Sequence, residues 1–349
     1  MLLVSYRRKI MGDDYLDDGD VSDEQEDIGL FKLLNFYPNV DVMETQEHDD
    51  AIIKEVQQNP RSAEVRYCFL SLYPRPCFPL YHALKLRAPV NVINALYFPT
   101  IQKEKDLFEP TALHIAVEFR SSLDVVNLIL EKDPESVKEK TFDFGYTPLH
   151  TACEHGAPLE VVALLLSAWP DLVRETTTRG DTALHRACIH GASFEVISLL
   201  LGAWPDASKE KNMSGFIPLN LACRFDAPLK VLLLMLEKWL KATEYEITDD
   251  MESLMCDASG DVKEILTRIS VLFAEIVDNS SKDEILSFFA NIKWWNGVVL
   301  VLIRYPTVTR TIELETTVKA DFLSMVGRRC KLKTMWQVIC NEQDLFPEM

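Results

Sequence analysis

Glycine is scarce in this chain, at 12 of 349 residues. So few leave little room for glycine-rich loops that cradle phosphates, and no Gly-x-Ser-x-Gly elbow, zinc-protease helix or kinase signature occurs. Eight cysteines are too sparse for a disulfide scaffold. Most sit inside apolar helical patterns, which points to a reducing compartment: the cytoplasm, with the nucleus also open. Hydrophobic runs stay far short of the roughly 18 consecutive apolar residues of a membrane helix. The longest lie around Val231–Leu236 and Val298–Ile303. The opening Met1-Leu2-Leu3-Val4-Ser5-Tyr6-Arg7-Arg8 places its bases after a small apolar patch, the reverse of a secretory signal. Bases are outnumbered, 36 Lys and Arg against 54 Asp and Glu, for a formal net charge of −18. Such a surface repels phosphate, so neither nucleic acid nor an anionic membrane is an expected partner.

What the chain does have is apolar residues, 48% of the total, and a repeat. Thr147-Pro148-Leu149-His150-Thr151-Ala152-Cys153-Glu154-His155-Gly156-Ala157 returns as Thr182-Ala183-Leu184-His185-Arg186-Ala187-Cys188-Ile189-His190-Gly191-Ala192. Without gaps, 147–173 and 182–208 agree at 17 of 27 positions. The phase extends back to Thr111-Ala112-Leu113-His114 and Phe78-Pro79-Leu80-Tyr81, and forward to Ile217-Pro218-Leu219-Asn220. Its successive steps are 33, 36, 35 and 35 residues.

Each unit reads as a helix pair. Thr caps the first helix, and Pro occupies its first turn, where a missing N–H costs nothing. Leu149, Ala152 and Cys153 fall at i, i+3 and i+4, an apolar stripe. Gly156 and Gly191 supply the left-handed conformation that ends the first helix. A second helix runs from Leu159 or Phe194 and stops at Trp169-Pro170 or Trp204-Pro205. A polar, turn-rich segment then leads to the next unit.

These residues resemble the ankyrin repeat, whose signature is Gly-x-Thr-Pro-Leu-His-x-Ala after a β-turn. The resemblance covers 78–240, five repeats, and implies an all-α helical-repeat solenoid with short β-turn fingers and degenerate end units. Around it, the organisation expected is an acidic disordered tail over 1–28, a linker over 29–50 and a degenerate N-terminal capping unit over 51–77. Beyond the repeats come an acidic insertion over 241–261 and a helical region over 262–349 ending in degenerate repeats. The tail rests on Asp13–Asp27, which holds nine acids and no base. The degenerate units rest on apolar phase: Ile53 to Pro74, Ile285 to Pro306, and Phe322 to Phe346.

Two constellations look like chemistry. His150-x-x-Cys153-x-His155 and its copy at 185–190 resemble metal ligands, but position i+5 lies roughly 140° around a helix from i. The repeat accounts for each residue separately: the first His, by resemblance, braces the turns, and Cys153, Cys188 and Cys223 form a buried row. No metal, cofactor or catalytic residue is expected. The basic cluster Arg328-Arg329-Cys330-Lys331-Leu332-Lys333 reads as a solvated face, an import patch or a dock for the acidic tail.

Surface recognition remains. By resemblance, the exposed positions flank the turn glycine and precede the helix-ending one, lining a concave groove. In order they are Phe108, Glu118, Phe119; Asp143, Phe144, Tyr146, Glu154, His155; Thr178, Arg179, Asp181, Ile189, His190; and Met213, Ser214, Phe216, Arg224, Phe225. Six aromatics with interspersed arginine have the composition of binding hot spots. The expected function is a monomeric, non-catalytic scaffold or adaptor gripping a protein partner. Glu118, Glu154 and Asp143 at the rim suit a partner segment with basic edges. The alternative is a regulatory subunit, or an enzyme with a separate C-terminal domain.

Overall fold

The computed structural model describes residues 29–35, 44–69, 76–103, 109–243, 250–258, 260–273 and 279–305, with isolated positions at 321, 324 and 328. Among these residues the regular structure is helical, apart from isolated bridges pairing Tyr67 with Cys77 and Thr176 with Thr182. The chain divides into two compact units, Met1–Asp143 and Phe144–Met349.

In the first unit, helices pair and then stack. The helices are α1 (Gly29–Asn35), α2 (Glu44–Gln58), α3 (Pro79–Lys85), α4 (Val90–Leu96), α5 (Pro99–Lys103), α6 (Ala112–Glu118) and α7 (Leu123–Lys132). First helices α1, α3 and α6 form one row and second helices α2, α4 and α7 another. Leu30 and Leu34 are fully buried, so the expected linker over 29–50 is corrected. Apolar residues spaced four apart give α1 one buried face, and that outweighs the acidic composition around it. The tail over 1–28 lies outside the described residues, as does the Leu72-Tyr73-Pro74 expected to end the N-terminal unit. Helix α2 instead ends at Asn59-Pro60, where a 3₁₀ turn, Pro60–Glu64, begins.

The second unit holds α8 (Pro148–Glu154), α9 (Leu159–Ala168), α10 (Ala183–Ile189), α11 (Phe194–Ala203), α12 (Pro218–Arg224), α13 (Leu229–Ala242), α14 (Asp250–Asp257), α15 (Gly260–Leu272), α16 (Asn279–Asn291) and α17 (Trp295–Arg304). Again the first helices α8, α10, α12 and α14 stack in a row, with α9, α11 and α13 behind them. Helix α9 buries Val161, Val162, Leu165 and Leu166, each contributing about 1.5–3 kcal/mol by leaving water. Cys153, Cys188 and Cys223 are buried in the first-helix row. Burial pushes the thiols of Cys153 and Cys223 up to about 12.

The segment after each second helix differs from expectation. Rather than a polar turn, Pro170–Arg174 and Pro205–Lys209 form 3₁₀ turns, and Pro134–Lys138 does so in the first unit. Proline at the start fixes φ for such a turn. Its payload is a buried pair: Leu172 and Val173 in one, Ala207 and Ser208 in another. These turns take up residues beyond the usual ~33-residue repeat.

The helix-ending left-handed residue marks the repeat through both units. Its φ is +62° at Gly156 and +64° at Gly191, but Arg87, Arg120 and Asp226 adopt φ of +58°, +55° and +52° in the same role. Gly260, at +51°, comes after α14, and Lys293, at +56°, separates α16 from α17. Within 241–261, therefore, α14 packs against α12 as a first helix would. Tyr305 closes the later part, its hydroxyl donating to the Leu272 carbonyl at 3.0 Å. The degenerate repeat at 322–346 and the basic cluster at 328–333 lie outside the described residues, isolated positions aside.

Candidate functional site

Two sets of hydrogen bonds hold the exposed face of the second unit rigid. The first is built on histidine. Thr147 caps α8, its hydroxyl accepting from the His150 N–H, while the Thr147 hydroxyl and His150 Nδ1 lie 2.8 Å apart. His150 Nε2 lies 3.1 Å from the Asp181 carbonyl in the following unit. A carbonyl only accepts, so Nε2 carries the proton and Nδ1 accepts from the threonine. His185 repeats the arrangement with Thr182 and donates to the Phe216 carbonyl at 3.0 Å. Burial lowers its pKa from the ordinary value, which keeps the ring neutral. In the next unit Asn220 substitutes: its Oδ1 accepts from the Ile217 N–H, and its amide donates to Ser253 and Asp257 on α14.

The second set joins the β-turn fingers through the main chain. Phe144 C=O accepts from Thr178 N–H at 2.9 Å, and Arg179 C=O from Met213 N–H at 3.0 Å. Each finger tip turns at a glycine in the left-handed region, Gly145, Gly180 and Gly215. At Gly180 a Cβ would lie 3.1 Å from the Met213 backbone nitrogen, so close approach as well as φ requires glycine there.

Between fingers and helices sits a charged cluster. Arg186 is buried at 9% exposure. Its guanidinium pairs with Glu154 at 3.0 Å and lies 3.7 Å from Asp181. It also donates to His190 Nε2 at 2.9 Å and lies 5.1 Å over the Tyr146 ring. Burial and the neighbouring guanidinium hold the His190 pKa below its usual value. Farther along, Arg224 pairs with Asp257 at 2.8 Å and lies over the Phe216 ring. The three carboxylates here are thus engaged by arginines within the fold. None of this resembles a reaction centre, and among the described residues no cluster of His, Cys, Asp and Glu is placed to hold a metal.

A family model of three ankyrin repeats matches residues 80–174, and a single ankyrin repeat matches 179–210. Residues 80–210 are ankyrin repeats. Such repeats are typically non-catalytic modules that mediate protein binding. No curated protein sequence matches the chain. One solved structure, of the Bd0816 predatory endopeptidase from Bdellovibrio bacteriovorus in complex with immunity protein Bd3460, contains a chain similar to this one at 19% identity. The match covers 57% of this chain and 92% of that one, with a TM-score of 0.42. Among the described residues no helix is long and apolar enough to cross a membrane.

On the ankyrin face of the second unit, Phe144 is 43% exposed and Phe225 50%. Tyr146 and Phe216 are half-buried beneath their arginines, and Glu154, His155 and Ile189 are half-buried in the first-helix row. His155 Nδ1 lies 3.1 Å from the Thr151 carbonyl, to which it donates. Arg179, His190, Arg224, Thr178, Met213 and Ser214 are exposed. In the first unit Glu118 and Phe119 are half-buried at the end of α6 and Asp143 is exposed; Phe108 lies outside the described residues. Two expectations are corrected. Asp181 is buried, because it accepts from the Asn212 amide at 2.9 Å and faces Arg186. Glu154 is no open rim charge, because Arg186 neutralises it. Arg186 itself went unread. Its signal was a lone charge in the middle of the Leu-His-x-Ala helix, a position where the repeat beginning at Thr147 carries Thr151.

Proposed function

We propose that this protein is a non-catalytic intracellular adaptor that grips a protein partner through the finger and first-helix face of its ankyrin repeats. The observation that supports this most is a set of exposed apolar side chains, Phe144, Met213 and Phe225, mounted on a frame held by main-chain and histidine hydrogen bonds. Ordering these side chains against a partner costs little because the backbone beneath them is already fixed. Exposed aromatics beside arginine are the usual anchors of protein interfaces, each contributing about 2 kcal/mol or more when buried. The remaining binding positions are Tyr146, His155, Arg179, Ile189, His190, Phe216 and Arg224, with Glu118, Phe119 and Asp143 in corresponding places on the first unit. The protein acts as a monomer and without a cofactor.

The test is a paired substitution, Phe144→Ala with Phe225→Ala. Partner capture from native extract, read by quantitative mass spectrometry, should fall to background while helical content and melting temperature hold. Unchanged capture by the double variant would discard this face.

A further inference from the structure

Within that face, one strip carries information about what it takes. Phe144, Arg179 and Met213 stand on three consecutive fingers, tied tip to tip by the Thr178-to-Phe144 and Met213-to-Arg179 backbone bonds. The Arg179 guanidinium carbon lies 5.6 Å from the centre of the Phe144 ring. The Met213 Cγ would lie 3.4 Å from a Cβ at Gly180, the residue after Arg179. The strip therefore runs ring, cation, thioether, with Phe144 43% and Met213 80% exposed. Three carboxylates of the frame are already engaged: Glu154 and Asp181 by Arg186, Asp257 by Arg224, Asp181 also by Asn212. Arg179 is exposed and meets an aromatic ring rather than one of them.

We infer that these three fingers dock an extended acidic segment of a partner protein, in which a carboxylate is flanked by apolar side chains. The carboxylate pairs with Arg179, whose planar fork suits bidentate contact. The flanking apolar groups cover Phe144 on one side and Met213 on the other, where a flexible thioether adapts to the shape it meets. Charge complementarity at Arg179 selects this occupant over the basic-edged segment that the sequence suggested, because Glu154, one of the acids named for holding bases, is neutralised by Arg186. The inference rests on the proposed binding role of this face and specifies the chemistry it recognises.

The experiment uses the full-length protein and two fluorescein-labelled decapeptides, one alternating aspartate with leucine and phenylalanine, the other with lysine in place of each aspartate. Fluorescence anisotropy should give saturable binding of the acidic peptide. Arg179→Glu should weaken it at least about tenfold, and Phe144→Ala with Met213→Ala by a similar factor, as expected for loss of a central anchor. Arg174→Glu, outside the strip, should leave it unchanged. Raising salt should weaken binding of the acidic peptide to the wild type and not to Arg179→Glu. Preference for the lysine peptide, or acidic-peptide binding indifferent to Arg179→Glu, overturns the inference. So does self-association that the peptide displaces, since the occupant would then be a second copy. Were neither peptide bound, while partner capture still depended on Phe144 and Phe225, the charge assignment would fall and the binding face would stand.

Discussion

Acid should loosen the first unit through a single ring. His82 on α3 is buried, stacked on Phe69 at 3.9 Å between ring centroids and nearly parallel to it. One ring nitrogen meets the Leu34 backbone on α1, while Nδ1 is buried with no hydrogen-bond partner. Burial, with Lys85 adding to it, lowers the pKa from 6.5 to about 4. The unfolded chain therefore takes up a proton near pH 6.5, which the folded one refuses until about pH 4. Between those values the unfolded state binds more protons, so stability falls as pH falls, by about 1.4 kcal/mol per pH unit. Above that window both states are neutral and the dependence vanishes. From pH 7 to pH 5 the loss is about 2 kcal/mol, or roughly a 20-fold to 30-fold drop in the closed-to-open ratio. Hydrogen exchange of the α1 and α3 amides, corrected for intrinsic rates, reads that ratio directly. His82→Gln keeps a polar donor but cannot titrate, so its protection should be flat across the same range. Equal pH slopes in wild type and His82→Gln would refute the reasoning.

The frame of the second unit yields two more expectations. Gly180→Ala forces a Cβ to 3.1 Å from the Met213 nitrogen at a φ of +74°, whereas Gly191→Ala, at φ +64°, meets open space. Urea unfolding should show about 1–2 kcal/mol lost at Gly191 from the left-handed conformation alone, and a larger loss at Gly180. His185→Ala keeps the backbone cap bond but leaves the Phe216 carbonyl and the Thr182 N–H without the ring nitrogens they meet, at about 1–3 kcal/mol for each buried group left unsatisfied. His185→Asn should restore part of that, since Asn220 caps its own helix through Oδ1.

How much of this was legible beforehand depends on where the signal resides. Thr147, Thr182 and the glycines at 145, 156, 180, 191 and 215 carry their structural role in their own chemistry, so caps, fingers and helix ends could be read residue by residue. The left-handed position at Arg87, Arg120, Asp226 and Lys293 could not, because packing around it overrides a local preference of about 1–2 kcal/mol. Helix α1 was hidden by the acids around it, since net charge describes a segment's surroundings and not its buried face. The 3₁₀ turns were hidden because Leu172 and Val173 are only two apolar residues, too short a run for any periodicity to register. On the candidate face, Phe144 and Phe225 could be placed from their position in the repeat. The burial of Asp181 could not, because its partners Arg186 and Asn212 come from different segments of chain.

The hydrogen bonds that join the finger tips take only the peptide groups of Phe144, Arg179 and Met213, with the Thr178 hydroxyl added at the first joint, and that has an evolutionary consequence. A bond of amide and carbonyl is indifferent to what the residue carries, so the side chains of Phe144, Arg179 and Met213 take no part in the hydrogen bonds that join the tips. Such a scaffold can exchange one customer for another by altering three or four codons, with the architecture that displays them left as it was.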